Sequence, residues 1–122
     1  METSKPDNGR KVFLNFGQGA QIGDEDILHC PDCGSSYLHH GAVTVYSRKE
    51  DNDHTLETRV ADRVAESGIV PSKLSSNPSS RRDGISIAFS CEMCPARLEL
   101  TFAQHKGQTE LVWRRPRSGV AA

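Results

Sequence analysis

The chain lacks long hydrophobic runs, has few aromatic residues and carries no excess of charge of one sign. None of its apolar stretches approaches the ~20 residues that cross a bilayer, and Met1-Glu2-Thr3-Ser4-Lys5-Pro6 lacks the apolar core of a secretory signal. The expectation is a cytoplasmic protein with no membrane partner. Seven aromatics in 122 residues (Phe13, Phe16, Tyr37, Tyr46, Phe89, Phe102, Trp113), with 35% hydrophobic residues overall, leave a thin core, and thin cores commonly need a staple. A net charge of −1 argues against a surface saturated with phosphate contacts. There is no phosphate-binding glycine loop, nucleophile elbow or His-Glu-x2-His motif, and no His-x-Glu accompanies the cysteines as zinc deaminases require. The length admits one small domain and no second.

What the chain does have is four cysteines in two pairs, Cys30-Pro31-Asp32-Cys33 and Cys91-Glu92-Met93-Cys94, separated by 57 residues. Two thiolates three positions apart in a tight turn can reach one ion at ~2.3 Å, and two such turns complete a tetrahedron. Cys30, Cys33, Cys91 and Cys94 are therefore the expected ligands of one structural Zn2+, closed because zinc catalysis needs an open coordination position. Without a secretory signal, disulfides are disfavoured, and neither pair opens the helix that a thioredoxin-like redox site needs. Gly34 after the first pair can take the positive φ that a knuckle wants. Pro95 after the second has no N–H to donate, so that turn must close differently.

The rest of the pattern is mostly β. Residues 1–10 read as a flexible tail, residues 11–114 as a single domain and residues 115–122 as a second tail. Val12–Phe16 and Asp26–His29 are candidate strands before the first knuckle, and Ala42–Arg48 alternates after it. Ile85–Ser90 alternates into the second knuckle, Leu98–Phe102 alternates out of it, and Thr109–Trp113 follows the turn-like His105-Lys106-Gly107-Gln108. The expectation is two antiparallel hairpins tipped by Cys-x2-Cys turns, with extra strands. Residues 49–84 form a long polar insertion in which Leu56, Val60 and Val64 share one face of a short helix, while Thr55, Thr58 and Val60 favour an extended arm.

This order of strand, knuckle and strand, with Cys-Pro-Asp-Cys-Gly in the first turn and Cys-x2-Cys in the second, resembles the zinc-ribbon class of zinc fingers. The strings Cys-Pro-Asp-Cys-Gly, Asn-Pro-Ser-Ser-Arg-Arg-Asp-Gly and Gln-His-Lys-Gly-Gln-Thr are also similar to small uncharacterised zinc-ribbon proteins of bacterial and phage mobile elements. The resemblance covers roughly residues 27–46 and 85–104. It implies a non-catalytic module that docks nucleic acid or a nucleic-acid-processing protein, or else a purely protein–protein regulatory role in a mobile element.

Charge is unevenly placed, net −5 over residues 1–62 and +4 over residues 63–122. Arg81, Arg82, Arg97, Lys106 and Arg115, with Arg114 and Arg117, are candidate contacts to phosphate or to an acidic protein surface, if they converge on one edge. The plainer reading is solvated charge on loops and tails. His39-His40, shortly after Cys33, resembles the general-base position of HNH nucleases that carry Cys-x2-Cys knuckles. Those enzymes need a metal-binding helix after the second knuckle, where this chain alternates as strand, so no catalytic residue is assigned. His29 is expected to hydrogen-bond beside the knuckle and His105 to sit in a turn, neither replacing a cysteine.

Overall fold

In the computed structural model, residues 27–116 are described, and they form one six-stranded antiparallel sheet. The strands are β1 (Leu38–Ser47), β2 (His54–Ala61), β3 (Val64–Pro71), β4 (Gly84–Cys91), β5 (Arg97–His105) and β6 (Gln108–Arg114). Their spatial order is β3-β2-β1-β4-β5-β6. Neighbours in sequence are hairpins except β3 and β4, whose connection returns the chain across the sheet to pair β4 with β1. One 3-10 turn at Ser72–Leu74 is the only helical element among the described residues, so no helix there is long and apolar enough to cross a membrane.

The mostly-β ribbon architecture read from the alternating segments is present, and the differences have local causes. Residues 54–71 take the extended course: β2 and β3 pair from His54↔Pro71 to Ala61↔Val64. In that hairpin Leu56 and Val60 share a face, as they would on a helix, but Val64 lies beyond the turn. The β-branched Thr55, Thr58 and Val60 suit the pleated strand better than a helix. The turn itself is Asp62-Arg63, with φ of 50° and 67°, both positive as a two-residue hairpin of type I′ requires. The β5–β6 turn uses Lys106-Gly107 in the same way, with φ of 49° and 80°.

Before the first knuckle, Ile27–His29 are not strand, so β1 is partnered near the cysteines by β4 rather than by the residues preceding Cys30. β1 starts at Leu38, four residues earlier than the alternation suggests, because a register shift between His40 and Val43 interrupts the period. Arg115 and Pro116 are half-buried and Arg115 is ion-paired, which differs from a loose tail beginning at residue 115. The tail over residues 1–10, the Val12–Phe16 strand, Asp26 and residues 117–122 lie outside the described residues.

Pairing places the strand side chains on two unequal faces. One carries Val43, Val45, Leu56, Val60, Ile85, Ile87, Leu100, Phe102, Leu111 and Trp113; the other carries Thr55, Tyr46, Ser86, Ala88, Thr101, Ala103 and Val112. The residues named on the second face, most of them small, are buried. Residues 72–83 lie on it, and its small side chains let them approach. Ser72 Oγ meets Thr55 Oγ1 at 2.8 Å, Ser79 Oγ donates to the Gln104 carbonyl at 2.8 Å and Arg114 donates to the Ser76 carbonyl at 2.7 Å. A Cβ on Gly84 would lie 2.8 Å from Pro78 Cγ and collide with the Asn77 amide oxygen. Gly84→Ala therefore displaces the connection from the sheet, and a destabilisation of about 1–3 kcal/mol is expected in urea unfolding, with metal content unchanged.

Candidate metal centre

Each knuckle is shaped by backbone hydrogen bonds before any metal is considered. The Cys30 N–H donates to the Ser35 carbonyl at 2.7 Å and the Cys91 N–H to the Ala96 carbonyl at 3.3 Å, the same five-residue closure in both turns. In the first, Gly34 adds an inner bond from its N–H to the Cys30 carbonyl at 2.8 Å, with φ at +83°. The second has Pro95 at the equivalent place and no such bond is open to it, as its sequence demands. The two turns are joined directly where the Glu92 N–H donates to the Tyr37 carbonyl at 3.0 Å, one step from the Leu38↔Cys91 pair that ends the β1–β4 ladder.

This brings four sulfurs together from positions far apart in the chain. The Sγ atoms of Cys30, Cys33, Cys91 and Cys94 all lie within 4.8 Å of one another. Cys30 and Cys94 are 3.8 Å apart and Cys33 and Cys91 are 3.6 Å apart. A tetrahedral ion with sulfur at ~2.3 Å sets sulfur–sulfur edges of about 3.8 Å, whereas a disulfide holds its sulfurs at ~2.05 Å. All four are free thiols, and the cluster fits one metal ion in a zinc-ribbon-like motif. Backbone N–H groups are already aimed at two of the sulfurs, Asp32 at Cys30 and Met93 at Cys91, each at 3.4 Å.

Those donors and the crowding of sulfur set the proton affinities. Burial pushes the Cys30 thiol up. Burial also raises Cys91, but the N–H groups of Met93 and Cys94 and the Cys33 thiol outweigh it and leave Cys91 lowered to about 7. At Cys94 the Ala96 N–H favours the thiolate, yet burial and the neighbouring sulfurs push it up to about 12. The Cys91 thiolate thus forms ahead of those of Cys30 and Cys94, which hold protons at neutral pH that a divalent ion must displace.

Around the sulfurs the packing is apolar on one side. Cys30, at 1% exposure, joins Ala96, Leu98, Leu100 and Trp113 in the buried cluster, with Leu28, Leu38 and Phe89 against it. Phe89 meets Trp113 edge-on at 5.7 Å between centroids. Asp32, between the first two cysteines, accepts Arg115 at 3.0 and 3.1 Å, tying the end of β6 to the first knuckle. That role of Asp32 and Arg115 has no signature in the sequence, because the two lie 83 positions apart. The same holds for Glu92, which pairs with His39 Nε2 at 2.7 Å.

The remaining candidate residues separate. Arg81, Arg82 and Lys106 lie at the end of the sheet where β1 meets the start of β4 and β5 turns into β6; Arg97 and Arg115 lie at the cysteine end. An eight-residue strand puts roughly 27 Å between those ends. Arg81 binds Glu50 at 2.8 Å and Asp51 at 2.7 Å, Arg82 binds Glu50 at 3.1 Å, and Arg114 pairs with Glu99. The described members of the basic set therefore do not form one edge. His29 Nδ1 lies 2.9 Å from the Gly34 carbonyl oxygen, as expected of a residue that supports the knuckle, and His105 ends β5 far from the cysteines.

Cys33→Ser and Cys91→Ser are each expected to abolish stoichiometric metal binding in native mass spectrometry and to lower the melting temperature by about 10–20 °C. Metal affinity is expected to rise with pH through the neutral range and to be still rising above about pH 9, since protons held on Cys30 and on Cys94, pushed up to about 12, leave on binding; competition against a chromophoric chelator measures the slope. Comparison of the chain with protein-family models, with curated proteins and with solved structures finds no match. The assignment rests on the chain's own geometry: a four-cysteine centre fit for one tetrahedral ion.

Proposed function

We propose that the chain is a non-catalytic module in which one structural zinc ion, held by Cys30, Cys33, Cys91 and Cys94, fixes two turns at one end of a β sheet so that this end can dock a macromolecular partner. The observation that carries the reading is the four-sulfur cluster itself, whose edges of 3.6 and 3.8 Å suit a tetrahedral tetrathiolate. Soft thiolate ligands in a tetrahedron favour zinc or iron, and zinc, a d10 ion with no redox change, suits a purely structural role. All four positions are filled by protein, which leaves none for an activated water. The residues after the second knuckle form β5 rather than the helix an HNH-type nuclease would need, and His40 packs edge-on to Phe89 at 6.4 Å.

For the partner, a protein is favoured over nucleic acid. Tyr37 and Met93 stand out from the two knuckles, 61% and 64% exposed, and exposed aromatic and methionine side chains on a rigid turn are common anchors of protein interfaces. The arginines that would track a phosphate backbone are split between two ends, and Arg81, Arg82, Arg114 and Arg115 already carry acidic partners. Arg97, exposed at the cysteine end, supports nucleic acid as the second reading.

Gel-shift titration against short single- and double-stranded oligonucleotides separates the two. The protein reading expects no retardation at low salt. Tight binding whose log affinity falls with log salt at a slope near −3 or steeper would transfer the function to nucleic acid. A partner recovered by cross-linking should survive nuclease treatment and be lost in Tyr37→Ala/Met93→Ala, which is expected to keep its zinc.

A further inference from the structure

A single sheet with one face covered by a loop leaves the other face to be explained. The register puts every Asp, Glu, Lys and Arg side chain of β2 to β6 (Glu57, Arg59, Glu66, Arg97, Glu99, Glu110 and Arg114) on the face that residues 72–83 cover. The opposite face has none; it carries the larger apolar side chains, together with a few polar ones such as the hydrogen-bonded Thr58 and Ser67. At the cysteine end that face is packed, with Leu98, Leu100 and Trp113 buried under the first knuckle. Away from that end it is open: Val45, Leu56, Val60, Ile69 and Ile85 are 45%, 43%, 49%, 70% and 37% exposed. An uncharged apolar face spanning six strands is the pattern of a surface that another layer covers.

We propose that residues Val12–Phe16 dock on this face, over Val43, Val45, Val60, Ile85 and Ile87, and form the second layer of the core. Three observations select this occupant. The run Val12-Phe13-Leu14-Asn15-Phe16 has four apolar residues in five, and no other stretch of residues 1–26 or 117–122 matches it. The described chain begins on the same face, since Leu28 packs against the buried Cys30, Leu98, Leu100 and Trp113 cluster. Residues 17–26 between the run and Ile27 span at most roughly 33–36 Å when extended, which exceeds the roughly 24 Å width of six strands. The tether also decides against a second copy of the chain as occupant. A ten-residue covalent tether holds a segment at an effective concentration of about millimolar, about a thousandfold above a partner chain at micromolar concentration. Asn15, the one polar residue of the run, falls on the opposite side from Leu14 and Phe16 in an extended chain and can face solvent.

Hydrogen exchange of the full-length, metal-loaded chain, read by mass spectrometry, tests this together with native mass spectrometry. The expected result is a monomer whose Val12–Phe16 amides exchange at least tenfold more slowly than an unstructured peptide. Leu14→Asp/Phe16→Asp should remove that protection, raise the fluorescence of a dye that binds apolar surface several-fold, and leave one metal ion per chain. The reciprocal Val60→Asp, at a site already half exposed, should release the same amides. Unprotected Val12–Phe16 amides in the unsubstituted chain overturn the proposal. So does protection that survives Val60→Asp, which would place the segment elsewhere, and so does a dimer whose dye binding is unchanged by Leu14→Asp/Phe16→Asp, which would make a second copy the occupant.

Discussion

Four sulfurs held within 4.8 Å of one another are the constraint on which the rest of this structure depends. Ionising all four without a cation is unfavourable, because burial and the neighbouring sulfurs both disfavour the thiolate, and together they push Cys94 up to about 12. A divalent ion reverses the sign of the interaction and closes a long loop between the two knuckles. The strands are arranged to profit from it. The β1–β4 ladder ends at Leu38↔Cys91, and β5 leaves the second knuckle at Arg97, so fixing the two turns fixes the start of β1, the end of β4 and the start of β5. The Asp32–Arg115 pair extends the same anchoring to the end of β6.

The two faces of the sheet solve different problems. Small residues on one face admit backbone-level contact with residues 72–83, whose serines and Asn77 bond into it. Asn77 donates to the Arg82 carbonyl at 2.8 Å and accepts from the Ser79 N–H at 3.0 Å, so the connection carries its own internal order. The polar composition that makes this stretch look like loop is what lets it lie against Thr55 and Gly84. The other face holds the larger apolar side chains and concentrates its burial at the metal end, where Leu98, Leu100 and Trp113 surround Cys30. Metal site and apolar core are therefore one unit, which fits a chain with so few aromatics.

The four-cysteine cluster and the strands β4, β5 and β6 were legible because each is a local pattern: two identical cysteine spacings, two alternations flanking a knuckle, and Lys106-Gly107 as a recognisable hairpin turn. The β2–β3 hairpin was ambiguous because its turn is Asp62-Arg63, and arginine at φ of 67° carries no turn signature. Leu56, Val60 and Val64 then satisfied a helical period by coincidence of a strand, a turn and a strand. Pairings such as Arg81 with Asp51, or Arg115 with Asp32, depend on which ends of the sheet meet. Composition placed the arginines in one half of the chain, but strand order sent them to opposite ends and gave several of them acidic neighbours.

X-ray absorption at the zinc edge, on protein purified without added metal, tests the central claim most directly. The account predicts one zinc per chain with four sulfur neighbours at ~2.3 Å and no nitrogen or oxygen in the coordination sphere. A spectrum with one or more light-atom ligands, or protein that folds and melts identically with no zinc bound, would contradict it.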